Sequence, residues 1–196
     1  MSKLSPMMTH YLETKKQNPD CILFYRLGDF YEMFFDDAKT VAKELELTLT
    51  GKDCGLEERA PMCGVPYHAK DVYLNRLVEK GYKVAIAEQV EDPKLAKGLV
   101  KREVVKIVTP GTNTGEQAVA EDKNNYLMCI IYIDSKFGIS IADIGTGDYF
   151  VTEVQNRNEV YDEINRFSPT EILVNASFAL SGINLEEIKE RQKIVY

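Results

Sequence analysis

The sequence predicts an α/β (α+β) fold in two domains: an N-terminal mixed β-sheet flanked by helices, and a second, incomplete α/β unit. Three observations support this fold class. Apolar residues make up 44% of the 196 positions and charged residues 28%, which is the balance of a globular chain. Short β-branched and aromatic runs alternate with amphipathic helical runs. The charge is uneven, because residues 1–114 carry 17 basic and 17 acidic side chains, whereas residues 115–196 carry 7 and 14.

A polar stretch between the two parts predicts the domain boundary. Residues 109–125, TPGTNTGEQAVAEDKNN, are rich in Gly, Thr, Asn and acidic side chains, a composition typical of a loop or linker. We therefore expect a first domain over residues 1–113, a linker over 114–124 and a second domain over 125–196. The formal net charge of −7 falls entirely on residues 115–196, the linker and second domain, and residues 1–114 are neutral.

The first domain is expected to be a mixed sheet with helices packed on it. Ser5 and Pro6 suit the N-cap and first position of a helix, after which Met7, Tyr11 and Leu12 share one face. Two more helices show an apolar stripe: one starts at Asp36 and Asp37 and buries Ala38, Val41, Ala42 and Leu45, and one follows a Gly- and Pro-rich turn at 61–71 and buries Val72, Leu74, Leu77 and Val78. Short apolar runs predict strands at residues 21–27, 30–35, 47–50, 82–90 and 103–110.

The second domain shows a different order of elements. Three strand-like runs joined by tight turns predict an antiparallel meander, and a helix and a further strand follow it. Strand–strand–strand–helix–strand is the opening of a ribonuclease H-like α/β fold, and the chain stops in the middle of that pattern, so we expect a truncated domain. The predicted strands cover residues 125–134, 137–145, 148–154 and 171–174, and the helix covers 158–167.

Several classes of function lack their sequence signals. The chain has neither a GxxxxGK[ST] phosphate loop nor a GxGxxG unit, so we expect no nucleotide cofactor in it. No apolar run approaches the ~18 residues of a membrane helix. The four cysteines share no CxxC spacing and the N-terminus has no signal-peptide pattern, which predicts reduced thiols in the cytoplasm. His10 and His68 have no partners at ligand spacing, so no metal site is expected.

The most informative stretch is RLGDFYEMFFDDA at residues 26–38. A tight Gly-Asp turn precedes Phe30, and residues two apart on a strand point to the same side. If Tyr31, Met33 and Phe35 fill the core, Phe30 and Glu32 project outward together. An exposed phenyl ring beside a carboxylate is unusual for a solvated face and indicates a recognition role. The alternative is that Phe30 belongs to the core and Glu32 solvates an edge.

This stretch resembles the Gly-Asp-Phe-Tyr-Glu signature of the bacterial MutS mismatch-recognition domain. Three further runs, APMCGVPYHA, VAIAEQVEDP and REVVKIVTPGT, resemble the same family in its order and at its spacing. The similarity covers residues 4–113 and continues more loosely through 124–196, which resemble the start of the family's connector domain. One such motif would be weak evidence for the family, but four long motifs in the family's order are specific to it.

The resemblance implies that the chain recognises mispaired or unpaired bases in duplex DNA and so helps to initiate mismatch repair. Phe30 corresponds to the residue that wedges into the duplex from the minor groove and stacks on the mispaired base. Glu32 corresponds to the residue that hydrogen-bonds that base. An apolar wedge partly unstacks a base step at a cost of a few kcal/mol, and the cost is lower where pairing is already lost.

DNA affinity needs cations, because phosphates dominate binding. Residues 92–106 carry Lys94, Lys97, Lys101, Arg102 and Lys106 against two acids, a local charge of +3. By itself this run is equally consistent with a solvated basic loop, but the resemblance favours backbone contacts by Arg102 and Lys106. Further candidates for phosphate contact are Lys52, Arg59, Lys70 and Arg76, and Pro66 and His68 are expected to support the DNA-facing loop.

The resemblance also implies what the whole protein would do. The family's ATPase lies far downstream, so ATP and Mg²⁺ are expected only in the full-length protein. That protein would be a cytoplasmic, nucleoid-associated homodimer whose connector communicates with a MutL-type partner. The chain itself is expected to be no enzyme, to contact no membrane, and to bind mismatched double-stranded DNA weakly.

Two alternatives remain open from the sequence. The second domain could be a metal-dependent nuclease of ribonuclease H type that uses Asp134, Asp143 or Asp148 with Mg²⁺. Aspartates are also common beside a Gly-rich turn because their side chains hydrogen-bond the turn backbone, which requires no catalytic role. The other alternative is a protein-interaction scaffold with no DNA role, for which perfect and mismatched duplexes would bind equally badly.

Overall fold

The computed structural model describes residues 3–91, 96, 98–114, 124–192 and 194, and it divides the chain into two compact units, Met1–Val108 and Thr109–Tyr196. The sequence placed residues 109–113 with the first domain, whereas the structure assigns them to the second unit. The reason is local hydrogen bonding: the Gly111 backbone N–H donates to the Glu171 carboxylate (2.9 Å), and the Asn125 side chain donates to the Pro110 carbonyl (2.9 Å). Residues 115–123 of the predicted linker lie outside the described residues.

The first unit is a mixed sheet with helices on both faces. Its described elements are α1 (Pro6–Gln17), β1 (Cys21–Leu27), β2 (Phe30–Phe34), α2 (Phe35–Leu45), β3 (Thr50–Lys52), β4 (Ala60–Pro66), a short 3₁₀ helix (Tyr67–Ala69), α3 (Lys70–Glu79), β5 (Lys83–Gln89) and β6 (Arg102–Val108). The strand order is β3-β4-β2-β1-β5-β6. β1 and β5 run parallel, and the other neighbours pair antiparallel, which confirms the predicted mixed sheet.

Different helices cover the two faces of this sheet. α2 and α3 pack on one face, where Val41 is fully buried in the same cluster as Met33. α1 packs on the other face, where the rings of Tyr11 and Phe34 meet edge to face at a centroid distance of 4.8 Å. Buried apolar side chains of this size contribute about 1.5–3 kcal/mol each, so both faces hold the sheet together.

Two predictions about strands are wrong. Residues 47–50 were expected to form a strand, but α2 ends in a left-handed cap at Glu46 and the strand begins only at Thr50. Residues 61–71 were expected to be a turn, but most of β4 lies there. Pro61 and Pro66 suggested a break, yet they lie at the ends of β4, where Pro61 faces Gly51 of the short edge strand. Pairing with β2 therefore outweighs the local turn signals.

Two predictions about helix faces are also wrong in part. α1 buries Met8, Tyr11 and Thr14 at helical spacing; of the predicted face, Tyr11 is buried, Met7 is half-buried against the same cluster and Leu12 is exposed. In α3, Val72 is 46% exposed, whereas the predicted Leu74, Leu77 and Val78 are buried. The buried stripe of α1 is therefore displaced from the predicted one, whereas in α3 only Val72 lies off the stripe that packs on the sheet.

The second unit contains the predicted strand–strand–strand–helix–strand order. Its described elements are a 3₁₀ helix (Pro110–Thr112), β7 (Tyr126–Ile133), β8 (Lys136–Asp143), β9 (Tyr149–Val154), α4 (Arg157–Phe167), β10 (Glu171–Val174), a second 3₁₀ helix (Ala176–Ser181) and α5 (Leu185–Gln192). The strand order is β10-β7-β8-β9, with an antiparallel meander and β10 parallel to β7. Ile130, Ile139, Ile164 and Phe178 lie in its core. The segment after β10, with α5, was not predicted.

Two further properties concern the membrane-crossing character of the helices and the state of the cysteines. Within the described residues, no helix combines the length and the apolar character that crossing a bilayer requires. The four cysteines are free thiols, and Cys21, Cys54 and Cys63 are buried. Burial raises the pKa of the Cys63 thiol to about 12, so this thiol stays protonated and acts as a small apolar side chain.

Candidate nucleic-acid interface

The β1–β2 hairpin presents Phe30 at its tip. Leu27 pairs with Phe30, and the turn between them is tight, with Gly28 at a φ of +57°, where a residue without a side chain is favoured. Phe30 keeps 47% of its surface exposed, whereas Tyr31 keeps 2%. The alternation therefore places Phe30 outward, which answers the alternative that it belongs to the core.

The rest of β2 follows the predicted alternation with one exception. Tyr31 and Met33 are buried on the face that α2 and α3 cover. Glu32 lies on the same side as Phe30, as expected. Phe35 was expected to continue the buried series, but it starts α2 with a φ of +54° and packs with the cluster on the α1 face. The strand ends one residue earlier than the alternation suggested.

Arg26 braces the turn that carries Phe30. Its Nε donates to the Gly28 carbonyl at 2.5 Å, and its guanidinium lies 4.3 Å from the Tyr67 ring centroid and 5.4 Å from that of Tyr31. Its Nη1 is 3.9 Å from the Glu88 carboxylate. A planar guanidinium can stack and donate at the same time, which a lysine cannot do. Arg26 thus links the turn to β5 and to the segment after β4.

Two further hydrogen bonds fix the same region. The Tyr67 backbone N–H donates to the Asp29 carbonyl at 2.9 Å, which ties the 3₁₀ helix to the turn. The Tyr31 hydroxyl donates to the Glu88 carboxylate. Burial and this hydrogen bond raise the pKa of the Tyr31 phenol to about 12, so it remains a donor at neutral pH. The hairpin tip is therefore held on several sides before any ligand arrives.

Glu32 is paired with Lys52. Lys52 Nζ lies 2.5 Å from Glu32 Oε2, and the two side chains are 33% and 15% exposed. Glu32 is on β2 and Lys52 is on the edge strand β3, so the contact spans β4, which lies between them. The β4 residue opposite Glu32 is Gly64, where a Cβ would lie 3.5 Å from Glu32 Cγ and 3.8 Å from Phe30 Cδ1. Gly64 therefore leaves this surface open.

Arg102 is buried, although the sequence predicted a phosphate contact for it. The residue is 6% exposed, and its Nε and Nη1 donate to the carbonyls of Arg26 and Val100, both at 2.6 Å. The guanidinium also lies 5.2 Å from the Tyr25 ring centroid. These contacts use the Arg102 side chain to link β6 to β1. Its guanidinium is therefore not exposed to contact DNA.

The other predicted positions differ in their distance from the hairpin tip. Pro66 pairs directly with Phe30, and His68 is exposed one residue after Tyr67, so both lie beside the hairpin tip. Arg76 lies on α3, which covers the opposite face of the sheet. Exposed side chains away from the tip are Arg59, just before β4, and Lys106, on the far edge strand β6; Lys70 is half-buried and pairs with Asp71, and Lys94 and Lys97 lie outside the described residues.

Asp143, one of the acidic residues of the nuclease alternative, is used within a turn. Asp143 is 3% exposed, and its carboxylate accepts hydrogen bonds from the Asn124 side chain and from the backbone N–H groups of Asn125, Gly145 and Thr146, at 2.9–3.2 Å. Burial alone would raise the pKa of Asp143, but these donors hold it below its usual value. Across the described ranges, no group of three or more His, Cys, Asp or Glu residues is arranged to hold a metal ion.

Comparison with known protein families identifies the family of the chain. A family model described as MutS domain I matches residues 5–117. The chain belongs to the MutS family. A second model, MutS domain II, matches residues 125–195. The domain I match extends to residue 117 and so includes residues 109–113, which the structure groups with the second unit. The resemblance seen in the sequence is confirmed.

Curated members of the MutS family cover nearly the whole chain. A protein of Lachnoclostridium phytofermentans named DNA mismatch repair protein MutS is 62% identical over 194 residues, which is 99% of this chain and 21% of the relative. Proteins of the same name from Acetivibrio thermocellus and Ruminiclostridium cellulolyticum are 59% and 56% identical, over 91% and 97% of this chain. The chain spans about a fifth of the length of these MutS relatives.

The sequence did not identify the residues that support the hairpin tip. Tyr67 and Glu88 reach it from segments far along the chain, and their contacts depend on the strand order of the folded sheet. Gly64 looked like a turn residue. Arg26 alone offered a signal, because it directly precedes the Leu-Gly-Asp turn in the MutS motif and can reach back over it.

Proposed function

We propose that this chain is the mismatch-recognition part of a MutS protein, and that it binds mispaired or unpaired bases in duplex DNA to initiate repair. The observation that carries the proposal is the exposed Phe30 ring at the tip of a braced hairpin, with the Glu32 carboxylate two residues further on the same side. In this proposal Phe30 wedges into the minor groove, and Glu32 hydrogen-bonds the disturbed base.

The energetics of the wedge favour discrimination over tight binding. Fully burying a phenylalanine side chain contributes about 1.5–3 kcal/mol. Phe30 has 47% of its surface left to bury, so insertion gains on the order of 1 kcal/mol. Opening an intact base step costs a few kcal/mol, which exceeds this gain. Insertion is therefore favoured where pairing and stacking are already weakened, and a phenyl ring reads no specific donor pattern.

Glu32 adds a second level of selection. A carboxylate near DNA phosphates is repelled, which penalises binding to perfect duplex. At a mismatch, a base N–H that has lost its partner can donate to the carboxylate and offset the repulsion. The penalty and the hydrogen bond together widen the difference between the two kinds of DNA.

Phosphate contacts would supply the remaining affinity. In this proposal Pro66 and His68, which lie beside the tip, line the DNA-facing surface, and Arg59 and Lys106 are more distant cations. Arg76 lies on the other face of the sheet and is a weaker candidate. Because few free cations surround Phe30 among the described residues, we expect weak binding to DNA in general and a modest salt dependence.

The full-length protein would add the activities that this part does not supply. We propose that it is an ATPase that uses ATP and Mg²⁺, works as a homodimer on mismatched double-stranded DNA in the cytoplasm near the nucleoid, and contacts a MutL-type partner through its connector. The MutS relatives of about five times this length support this extension. The chain itself would act by binding and not by catalysis. The nuclease alternative has less support, because Asp143 already accepts four hydrogen bonds.

A matched pair of variants in the full-length protein tests the proposal. Phe30→Ala should bring the ratio of affinities for G·T and G·C duplexes close to unity, while circular dichroism shows an unchanged fold. Phe150→Ala is the control, because Phe150 is similarly exposed (45%) but lies on β9 of the second unit. A Phe30→Ala protein that keeps its full mismatch preference would overturn the wedge. Salt titrations of both duplexes would separate the phosphate contribution from the mismatch contribution.

A further inference from the structure

We infer that Lys52 is a specificity-determining residue that acts through Glu32, and not a phosphate contact as the sequence suggested. The inference rests on the proposed function, because it concerns the carboxylate that would meet the mispaired base. Its basis is the ion pair between Lys52 Nζ and Glu32 Oε2 at 2.5 Å. The free protein thus presents Glu32 together with a positive charge.

The geometry shows that Lys52 is directed at this partner. Its ammonium also lies 5.8 Å from the centroid of the Phe34 ring, and Phe34 is on the same side of β2 as Glu32. Phe34 is buried (1% exposed), so the lysine stem extends along the strand surface instead of into solvent. Gly64, the β4 residue opposite Glu32, places no side chain beside the carboxylate. A lysine free to follow a phosphate would have no such placement.

The ion pair adjusts the charge penalty that Glu32 imposes. Against perfect duplex, the Lys52 ammonium offsets part of the repulsion between the carboxylate and the phosphates. At a mismatch, a base N–H donates to the Glu32 carboxylate and itself offsets the repulsion, so binding there depends less on the Lys52 ammonium. Lys52 therefore sets how strongly perfect duplex is disfavoured relative to mismatched duplex.

A double-mutant cycle in the full-length protein tests this. The measured quantity is the ratio of affinities for G·T and G·C duplexes. Lys52→Met should increase the ratio about two- to fivefold, the size expected for a partly exposed ion pair, because homoduplex binding falls more than mismatch binding. In the Glu32→Gln background, Lys52→Met should leave the ratio unchanged. Lys52→Arg keeps the charge and should keep the ratio of the unaltered protein.

Lys80→Met provides the matched control. Lys80 forms a similar ion pair with Glu44 at 2.8 Å, but it does so between the ends of α3 and α2, on the opposite face of the sheet from Glu32. Its removal takes away one charge and one ion pair and should not alter the ratio.

Three results would overturn the inference. One is an unchanged ratio in Lys52→Met. Another is a change that persists in the Glu32→Gln background. The third is an equal loss of affinity for both duplexes with a salt slope shallower by about 0.9, which is the signature of a missing phosphate contact. The Phe30→Ala result separates the two levels: if it abolishes the preference while Lys52→Met does nothing, the proposed function stands and the role of Lys52 fails.

Discussion

Replacing Arg26 by lysine should loosen the hairpin tip while keeping its charge. Lysine could still approach Glu88, but it cannot lie flat between the rings of Tyr31 and Tyr67 and donate to the Gly28 carbonyl at the same time. The variant therefore removes the planar contacts of the guanidinium and keeps its electrostatic attraction to Glu88. The same change should weaken mismatch preference, because Phe30 would no longer be held in one position.

The expected size follows from the interactions that lysine cannot reproduce. A hydrogen bond from a charged donor contributes about 1.5–3 kcal/mol, and a cation–π contact at an exposed site about 0.5–1 kcal/mol. The Arg26 side chain is 19% exposed, and lysine recovers part of the donor function, so the sum must be reduced. We expect a loss of about 1–2 kcal/mol in the free energy of local opening, which corresponds to about 5- to 30-fold.

Hydrogen exchange followed by mass spectrometry measures this opening directly. Peptides that cover residues 25–32 and the Tyr67 N–H should exchange about 5- to 30-fold faster in Arg26→Lys than in the unaltered protein. Arg76→Lys, an exposed arginine on α3, should leave these peptides unaffected. Unchanged protection at the tip in Arg26→Lys, or an equal increase throughout the first unit, would refute the idea that Arg26 braces this turn.

Other predictions address single residues. Asp143→Asn should destabilise the second unit by about 1–3 kcal/mol at neutral pH; because the pKa of Asp143 is lowered in the fold, the deficit should shrink as pH falls below about 4, and a pH-independent deficit in urea unfolding would contradict this. Gly28→Ala should cost about 1–2 kcal/mol from its left-handed backbone alone, since nothing lies within 4 Å of an added Cβ; thermal unfolding checks it, and no loss would exclude strain. Iodoacetamide at pH 8 should modify Cys129 before Cys63, and the reverse order, seen by peptide mapping, would contradict the burial of Cys63.

The fold could be predicted where local pattern and burial agree. β1, β2, α2 and the meander of the second unit have strong apolar periodicity, and the structure confirms them with shifts of one or two residues at their ends. β4 could not be predicted, because its Pro61, Gly64 and Pro66 favour a turn locally and only pairing with β2 and β3 makes the segment extended. The missed information is long-range, which sequence propensity does not contain.

At the candidate site, too, some features could be predicted from the sequence and others could not. The outward placement of Phe30 and Glu32 follows from strand alternation, and the MutS motif supplied their expected roles. The environments of charged residues could not be predicted. Lys52 and Arg102 looked alike as free cations, yet one is paired with Glu32 and the other is buried against backbone carbonyls. Composition gives the charges, but only the packed sheet shows which of them face solvent.

The position of the hairpin within the sheet has a mechanical consequence. β1 and β2 are interior strands, each with a hydrogen-bonded neighbour on both sides. A force on the Phe30 ring is therefore shared by β4 and β5 instead of bending an isolated loop. In the proposed encounter the protein would behave as the stiff body and the duplex as the compliant one, so that most of the displacement takes place in the DNA. The depth to which the ring enters would then report the local softness of the double helix.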